Sequence, residues 1–379
     1  MKTYGIVCDA LNLPHKTGVE RYLTSLLTSM MTQPLLPDEQ VLLYVSQIPK
    51  GSGLESSILP NHWSWRVISS PLPGWTHLRL SWEQFRHPPQ VLFVPAHEVP
   101  LYTYSKTRVV TTIHDVAFKY FPAAYEPVVL RRQAWAVQHA LRYAKKIITV
   151  SETTKRDLEQ FWHVSFDRLR AIPLATDAQP SPSHGGVGGG LDETLLRYRL
   201  SAGKYFFYLG RLESKKNVAT LIRAFVEFKR QLGVGSPVQL VLAGKFGYGA
   251  DLIKYELGQA GADVHLLGFV PDADAVALLK GSLALCYPSL YEGFGLPILE
   301  AFAAGVPVLA SDIPSSREVA ADAALFVKPD DTPGFVKAMQ TLVHEPQTRA
   351  ALISRGTTRL ADFSWAKTAT KTWEVLRSV

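Results

Sequence analysis

Cysteine is scarce in this sequence: there are two in 379 residues, Cys8 and Cys286. Both fall in apolar stretches that predict buried strands, and they lie far apart in the chain. We therefore expect both to be core residues and not a disulfide or a metal-binding pair. This cysteine usage is typical of a protein from a reducing compartment.

Long apolar runs are also lacking. No stretch reaches the roughly 18 residues that a membrane-spanning helix requires. The first apolar stretch is interrupted early by Asp9, so it does not have the core of a signal peptide. We expect a cytoplasmic protein, and peripheral contact with the inner face of the membrane stays open.

Acidic residues are outnumbered, with 33 Asp and Glu against 40 Lys and Arg. Residues 1–176 contain 19 basic and 13 acidic residues, a difference of +6, which leaves 21 against 20, or +1, for the rest. A basic half is compatible with nucleic acid, anionic lipid or an anionic substrate. The charge is diffuse and is not interleaved with aromatic residues, which argues against nucleic-acid binding.

The length predicts two domains of ordinary size. Strands alternate with helices in the first half, a pattern typical of a parallel, doubly wound α/β sheet. A Gly-, Pro- and Ser-rich stretch at 179–190 cannot bury enough surface to order itself. We predict a first domain over 1–178, a linker over 179–200 and a second domain over 201–363.

The most informative stretch of the second domain is 289–308. A buried strand leads into a turn that contains Gly293 and Gly295, and a helix then begins at Pro297 and ends at Gly305, as the positional preferences of proline and glycine predict. Glycines let the backbone approach a ligand closely, and the N–H groups of a helix start favour an anion. This turn therefore predicts an anion-binding site.

Two carboxylates flank the predicted anion site, Glu292 before the turn and Glu300 in the first part of the helix. Charge repulsion would disfavour them beside an anion. They are better explained as hydrogen-bond acceptors for hydroxyl groups, so the ligand should carry hydroxyls as well as negative charge.

Two cations, Arg211 and Lys216, flank a strand-to-helix connection of the same domain. The strand over 204–211 precedes them, and Asn217 is predicted to cap the helix that follows. Arginine offers a planar fork and lysine a mobile point charge, and the two together suit a diphosphate at the carboxyl edge of a parallel sheet.

The first domain offers Gly18 and His114. Gly18 begins a helix after a loop at the carboxyl end of a strand, where open α/β sheets bind ligands. His114 and Asp115 directly follow the strand predicted over 108–113. The alternatives are a glycine that serves only the turn and a histidine that is only structural.

Glu292 and Glu300 around the Gly-Phe-Gly-Leu-Pro core resemble the E-x7-E motif of glycosyltransferase family 4, which comprises retaining, sugar-nucleotide-dependent enzymes of the GT-B fold. The resemblance implies two Rossmann-like domains that face each other across a cleft, with a C-terminal helix at about 364–379 crossing back to the first domain. It extends to further segments: Pro288-Ser289, Ala304-Gly305-Val306-Pro307-Val308, Ser311, Glu318-Val319 and Pro329.

The resemblance also implies a role for each candidate of the second domain. Arg211 and Lys216 would hold the donor diphosphate, Glu300 the ribose hydroxyls and Glu292 the hydroxyls of the donor sugar. Main-chain groups near Val270 would read the nucleotide base. The main chain of four turn residues would complete the diphosphate site: Gly293, Phe294, Gly295 and Leu296.

Two residues of the first domain receive roles in the same way. Gly18 would lie near the donor phosphate, and His114 beside the donor sugar and the acceptor. Neither a metal nor a permanently bound cofactor is implied. An Asp-x-Asp pair, Asp272 and Asp274, matches the metal motif of a different glycosyltransferase fold, but its place directly before a helix favours capping.

Segments 94–97 and 112–118 most resemble bacterial mannosyltransferases of surface-polysaccharide synthesis. GDP-mannose is the predicted donor, with a UDP-sugar as the alternative, and the acceptor is a saccharide or a lipid-linked saccharide. The basic first domain suits a lipid diphosphate at an anionic membrane face, although solubility explains the charge equally well. A GT-B-like nucleotide-sugar epimerase and a basic nucleic-acid-binding protein are the rival classes, and the oligomeric state stays open.

Overall fold

The computed structural model describes residues 1–12, 18–49, 54, 59–69, 74–177, 190–233 and 235–379. Its strands are short and Val-, Ile-, Leu- and Phe-rich, as strands covered on both faces require. They are β1 (Lys2–Val7), β2 (Glu39–Val45), β3 (Trp63–Val67), β4 (Val91–Val94), β5 (Arg108–Ile113), β6 (Lys146–Thr149), β7 (Leu169–Ala171), β8 (Tyr205–Leu209), β9 (Gln239–Ala243), β10 (Val264–Gly268), β11 (Ala284–Tyr287), β12 (Val308–Ser311) and β13 (Ala324–Val327).

Helices connect the strands. They are α1 (Gly18–Met31), α2 (Leu80–Arg86), α3 (Ala117–Tyr120), α4 (Pro127–Tyr143), α5 (Glu152–Trp162), α6 (Gly190–Arg197), α7 (Val218–Leu232), α8 (Asp251–Gln259), α9 (Asp272–Gly281), α10 (Leu296–Ala304), α11 (Pro314–Ala320), α12 (Thr332–His344), α13 (Pro346–Leu360) and α14 (Trp365–Arg377). Among the described residues, none of these helices combines the length and apolarity needed to cross a bilayer.

The chain divides into two units, and unit 1 comprises residues 1–116, 128–175 and 364–379. Its seven-stranded sheet has the order β3-β2-β1-β4-β5-β6-β7, and all neighbouring strands are parallel. The order reverses direction between β1 and β4. Open α/β sheets bind ligands outside the carboxyl ends of the strands at such a switch point.

A charged cluster holds the C-terminal helix α14 within unit 1. Arg377 donates from Nε and Nη2 to the two carboxylate oxygens of Glu39 at 3.0 and 2.8 Å. The hydroxyl of Tyr4 donates to Glu39 Oε1 at 2.9 Å. Trp373 packs edge-on against Tyr4 with ring centroids 5.3 Å apart, so α14 is held by both polar and aromatic contacts.

Unit 2 comprises residues 117–127 and 176–363. Its six-stranded sheet has the order β10-β9-β8-β11-β12-β13, again with parallel neighbours. Phe206 of β8 packs edge-on against Phe225 and Phe228 of α7, with centroids 6.4 and 5.8 Å apart. The switch point of this sheet lies between β8 and β11.

The predicted fold class is confirmed: both units contain a doubly wound parallel sheet. Cys8 and Cys286 are buried free thiols, as expected of core residues. Within the predicted linker over 179–200, Gly190–Arg197 form α6, and the Gly-rich stretch before it lies outside the described residues. The sequence also did not predict that residues 117–127 belong to unit 2.

Candidate active site

The loops that follow β8 and β9 lie in close contact beside the switch point of unit 2. Gly244 adopts φ +147°, and a Cβ added to it would lie 1.8 Å from the carbonyl oxygen of Gly210. Only glycine fits such an approach of one backbone to another. This contact fixes the loop that carries Arg211 relative to its neighbour.

Lys216 and Glu292 form an ion pair beside this switch point. The ammonium of Lys216 donates to both carboxylate oxygens of Glu292, at 2.7 and 2.8 Å. Ser289 donates from Oγ to Glu292 Oε1 at 2.5 Å. The two charged side chains are only 20% and 13% exposed. The structure therefore brings the lysine predicted to bind phosphate into direct contact with the glutamate predicted to bind the sugar.

Tyr287, at the end of β11, lies within electrostatic range of both predicted glutamates. Burial raises the pKa of Tyr287, and the negative charges of Glu292 and Glu300 raise it further. Tyr287 therefore remains protonated, and its hydroxyl can donate to the carboxylate of Glu292. Burial and the charge of Glu292 raise the pKa of Tyr208 of β8 in the same way.

Arg211 presents its guanidinium to solvent. Its side chain is 69% exposed, and Nε lies 3.9 Å from Glu213 Oε2. The hydroxyl of Tyr208 donates to the main-chain carbonyl of Arg211 at 2.8 Å, which anchors the backbone while the side chain extends outward. This arrangement suits a cation that contacts an incoming anion.

The glycine-containing turn leads into α10 as predicted. Gly295 adopts φ +130°, a conformation that favours glycine. Pro297 has no N–H group, and the amide of Ile298 donates to the Gly295 carbonyl at 3.0 Å. Two first-turn positions therefore offer no amide to a ligand, which concentrates the predicted phosphate contact on Leu296 and the preceding turn. Phe294 is buried against Phe363, with centroids 5.9 Å apart.

Two capping predictions are wrong. Asn217 precedes α7 with a left-handed backbone, but its side chain makes no capping hydrogen bond. It donates instead to the carbonyls of Pro288 and Pro329 at 3.1 and 2.7 Å. These tertiary hydrogen bonds take the place of the local cap, and Asn217 links its own loop to those that contain Pro288 and Pro329.

The aspartates at the start of α9 do not behave as the cap either, because the residue at the cap position is Pro271, without a side-chain hydrogen bond. Asp274 accepts hydrogen bonds from Arg197 at 3.1 Å and from Tyr198 at 2.8 Å. Asp274 therefore links the C-terminal end of α6 to α9.

Residues 117–127 contact the loops that contain Lys215 and Tyr291. The sequence did not predict these contacts. The ammonium of Lys215 donates to the hydroxyl of Tyr125 at 2.9 Å, and Tyr120 packs against Tyr291 with centroids 5.0 Å apart. The only sequence signal was a cluster of aromatic residues shortly after His114. Ser289 was also missed as a partner of Glu292, although its spacing of three residues could have indicated it.

The predicted base-reading residue, Val270, is buried after β10. Its neighbour Phe269 is 61% exposed, and the ammonium of Lys245 lies 5.0 Å from the centroid of that ring. The side chain of Val270 is therefore not available to a ligand, whereas the Phe269 ring is largely exposed.

His114 lies in unit 1 directly after β5. Its Nε2–H donates to the carbonyl of Pro95 at 2.9 Å, and Tyr22 of α1 packs edge-on against the ring at 4.9 Å. Burial lowers the pKa of His114, so the ring is neutral near pH 7. Because Nε2 carries the proton, Nδ1 is the acceptor nitrogen. Burial also lowers the pKa of His97.

Gly18, the other candidate of unit 1, is the first residue of α1. A Cβ added there would meet no atom of the described residues within 4 Å. Packing among the residues that the structure describes therefore does not require glycine at this position.

Comparison with known proteins decides the family. A model described as Glycosyltransferase Family 4 matches residues 17–179, and one described as Glycosyl transferases group 1 matches residues 199–359. The O-antigen chain mannosyltransferase B of Escherichia coli is 30% identical over 267 residues, which are 70% of this chain and 69% of that protein. The chain belongs to glycosyltransferase family 4. The predicted family is thereby confirmed.

A phosphatidyl-myo-inositol mannosyltransferase of Mycolicibacterium smegmatis is 27% identical to this glycosyltransferase over 241 residues, or 62% of the chain and 59% of that relative. Sucrose-phosphate synthase from Thermosynechococcus elongatus superposes with a TM-score of 0.72 at 18% identity, covering 100% and 99% of the two chains. Anabaena HepE in complex with UDP-glucose gives 0.73 at 17%, covering all of both chains. These two structures confirm the GT-B fold.

Proposed function

We propose that the enzyme transfers mannose from GDP-mannose to a saccharide or lipid-linked saccharide in the synthesis of a surface polysaccharide, with retention at the anomeric carbon. The observation that supports the proposal is the Lys216–Glu292 pair at the switch point of unit 2. In this proposal the lysine would bind phosphate and the glutamate would accept hydrogen bonds from sugar hydroxyls. The E. coli O-antigen mannosyltransferase B supports the choice of mannose and of the polysaccharide. Retention is what the family implies.

Stabilisation of the departing diphosphate is the main catalytic task. The exposed guanidinium of Arg211 and the ammonium of Lys216 would bind its oxygens, with Leu296 and the turn before it donating main-chain N–H groups. Such preorganised donors are worth more in a partly desolvated site than in water, because they need no reorganisation during the reaction. No step of this scheme requires a metal.

The carboxylates would position the donor. Glu300 would accept hydrogen bonds from the ribose hydroxyls, and Glu292 from those of the sugar. Burial and, after it, the negative charges of Glu292 and Glu300 raise the pKa of Tyr287. Charged acceptors bind hydroxyls more strongly than neutral ones, by about 1.5–3 kcal/mol per hydrogen bond. Main-chain groups at Val270 would face the base.

His114 would contact the transferred sugar or the acceptor. Its neutral ring, held by the Pro95 carbonyl, offers Nδ1 as an acceptor for a hydroxyl. We assign it positioning of the acceptor, while the proton of the attacking hydroxyl passes to the leaving phosphate oxygen or to another base. Gly18 would allow a donor phosphate to approach the start of α1.

Thermal denaturation with GDP-, UDP-, ADP- and dTDP-sugars, each with and without EDTA, tests the donor. A ligand that binds only the folded state raises the melting temperature according to its affinity. GDP-mannose should stabilise the enzyme most, and EDTA should not change the shift. Stabilisation by a UDP-sugar instead would assign a UDP-sugar donor, the nucleotide class found with HepE.

Product analysis separates transfer from epimerisation. Incubation with the stabilising donor and a saccharide acceptor should yield a new α-linked product and free nucleoside diphosphate. An altered sugar that remains attached to the nucleotide would instead identify an epimerase and contradict the proposal.

A further inference from the structure

Unit 1 exposes an unusually apolar surface on α2 and on the π-helical turn before it, Trp75–Arg79. Leu78, Trp82 and Phe85 follow one another at helical spacing and are 62%, 55% and 59% exposed. With Leu101 and Tyr102 they line a groove of about 350 Å³. Contiguous exposed apolar surface of this kind often marks an interaction site.

Aromatic rings continue this surface onto α4. The ring of His77, in the wall of the groove, packs edge-on against Trp135 at 5.3 Å. Trp135 stacks on His139 at 5.0 Å, and His139 lies 4.5 Å from Tyr143. Trp135 and Tyr143 are 43% and 41% exposed. We call the exposed residues of this surface the aromatic band: Leu78, Trp82, Phe85, Tyr102, Trp135 and Tyr143.

Arginines are frequent on the helices that carry the aromatic band. Arg86 follows Phe85 at the end of α2, and α4 contains Arg131, Arg132 and Arg142 but no acidic residue. Arg131 and Arg132 lie four and three residues before Trp135, which places them on its face of the helix.

Glu98 and Glu83 lie near this surface, and both are paired. Glu98 accepts from Arg132, and Glu83 is buried with Arg66 at 2.7 Å. The band therefore presents exposed apolar rings within a border of net positive charge.

This combination fits one partner in particular. Tryptophan and tyrosine prefer the interfacial region of a bilayer, while arginines bind lipid phosphates and are attracted by anionic headgroups. We infer that the aromatic band docks the enzyme on the surface of an anionic bilayer, with Trp82 and Phe85 entering the interfacial region. The inference deepens the proposed function, on which it rests for its purpose, because a lipid-linked acceptor is presented at such a surface.

Cosedimentation with phosphatidylcholine vesicles, with and without phosphatidylglycerol, tests the apolar part. The full-length enzyme should bind the vesicles that contain phosphatidylglycerol. The double variant Trp82→Ser/Phe85→Ser should bind them at least roughly tenfold more weakly, because both rings leave the interface. Leu252→Ser/Tyr255→Ser is the matched control, since these residues of α8 have the same spacing and are 53% and 64% exposed. The control should bind like the wild type.

Charge reversal tests the electrostatic part. Arg86→Glu/Arg131→Glu should reduce binding to phosphatidylglycerol vesicles more than roughly tenfold. Lys204→Glu/Lys337→Glu removes the same charge from exposed positions of unit 2 and should reduce binding much less. Equal losses in the two variants would overturn the assignment of the surface.

Two further results would overturn the inference. One is a wild-type enzyme that does not sediment with anionic vesicles. The other is a Trp82→Ser/Phe85→Ser variant that binds vesicles normally but loses self-association in light scattering, since a second copy would then cover the band. Donor binding by thermal shift, measured on the same proteins, should be unchanged. If vesicles bind but no nucleotide sugar does, the proposed function fails while the docking surface stands.

Discussion

Substitution of Lys216 by methionine tests the centre of the proposed site. The side chain keeps its length but loses the charge that contacts Glu292 at 2.7 and 2.8 Å. Removal of one preorganised donor to a developing anion typically slows a reaction roughly 100- to 1,000-fold, equal to about 3–4 kcal/mol. We expect a loss of transfer in that range for Lys216→Met.

The same substitution leaves Glu292 without its cation. Breaking a fully buried pair costs about 3–5 kcal/mol, and a fully exposed pair is worth about 0–1 kcal/mol. The side chains are 20% and 13% exposed, so we expect the free energy of unfolding to fall by about 1–2 kcal/mol. Urea denaturation measures this loss, and nucleoside-diphosphate release from the donor measures the rate.

A double-mutant cycle separates the two roles of Lys216. In Lys216→Met/Glu292→Gln the unpaired charge is gone, so stability should recover, whereas transfer should stay as slow as in Lys216→Met. Lys215→Met is the matched control, because its ammonium faces Tyr125 and Glu213 instead, and its rate should stay within roughly threefold of the wild type. Recovery of transfer in the double variant would refute a phosphate contact, since Lys216 would then act only by neutralising Glu292.

Three further expectations concern the remaining residues. Arg211→Ala should slow transfer roughly 100-fold while the melting temperature stays within error, because its side chain is 69% exposed; a normal rate contradicts its role. His114→Ala should abolish transfer but leave nucleotide binding by calorimetry intact, and lost binding would contradict its placement. Arg377→Ala should lower the free energy of unfolding by about 3 kcal/mol at neutral pH. Hydrogen bonds from Arg377 outweigh burial and lower the pKa of Glu39 below 4.5, so this difference should vanish as pH falls through that lowered pKa, which denaturation at several pH values will show.

Much of unit 2 could be predicted because its signals are local. Gly295 and Gly305 mark the start and end of α10 through backbone conformations that favour glycine, at φ +130° and +70°, and the positional rules for glycine act over a few residues. The hydrophobic periods that predict strands and helices also depend only on residues that are near one another in sequence. These features survive in the structure because they agree with the tertiary fold.

What could not be predicted depends on contacts between distant segments. The amide of Asn217 reaches carbonyls at 288 and 329, which lie 71 and 112 residues away. Asp274 pairs with Arg197, 77 residues before it. Asn217 and Asp274 both match the sequence rules for helix capping, but in the folded chain their side chains bond to groups of distant segments instead.

Glu292 shows how the site can hold a carboxylate beside a phosphate. A carboxylate has about four lone-pair positions, and in this structure Lys216 and Ser289 occupy three of them. Little acceptor capacity is left for a sugar while Lys216 stays on Glu292. Under the proposed function an arriving diphosphate draws the ammonium of Lys216 toward its oxygens, which releases acceptor positions on Glu292 at the moment when the sugar of the same donor needs them. The ion pair thus offsets the repulsion that a lone Glu292 would exert on the phosphate, and it links recognition of the two ends of the donor.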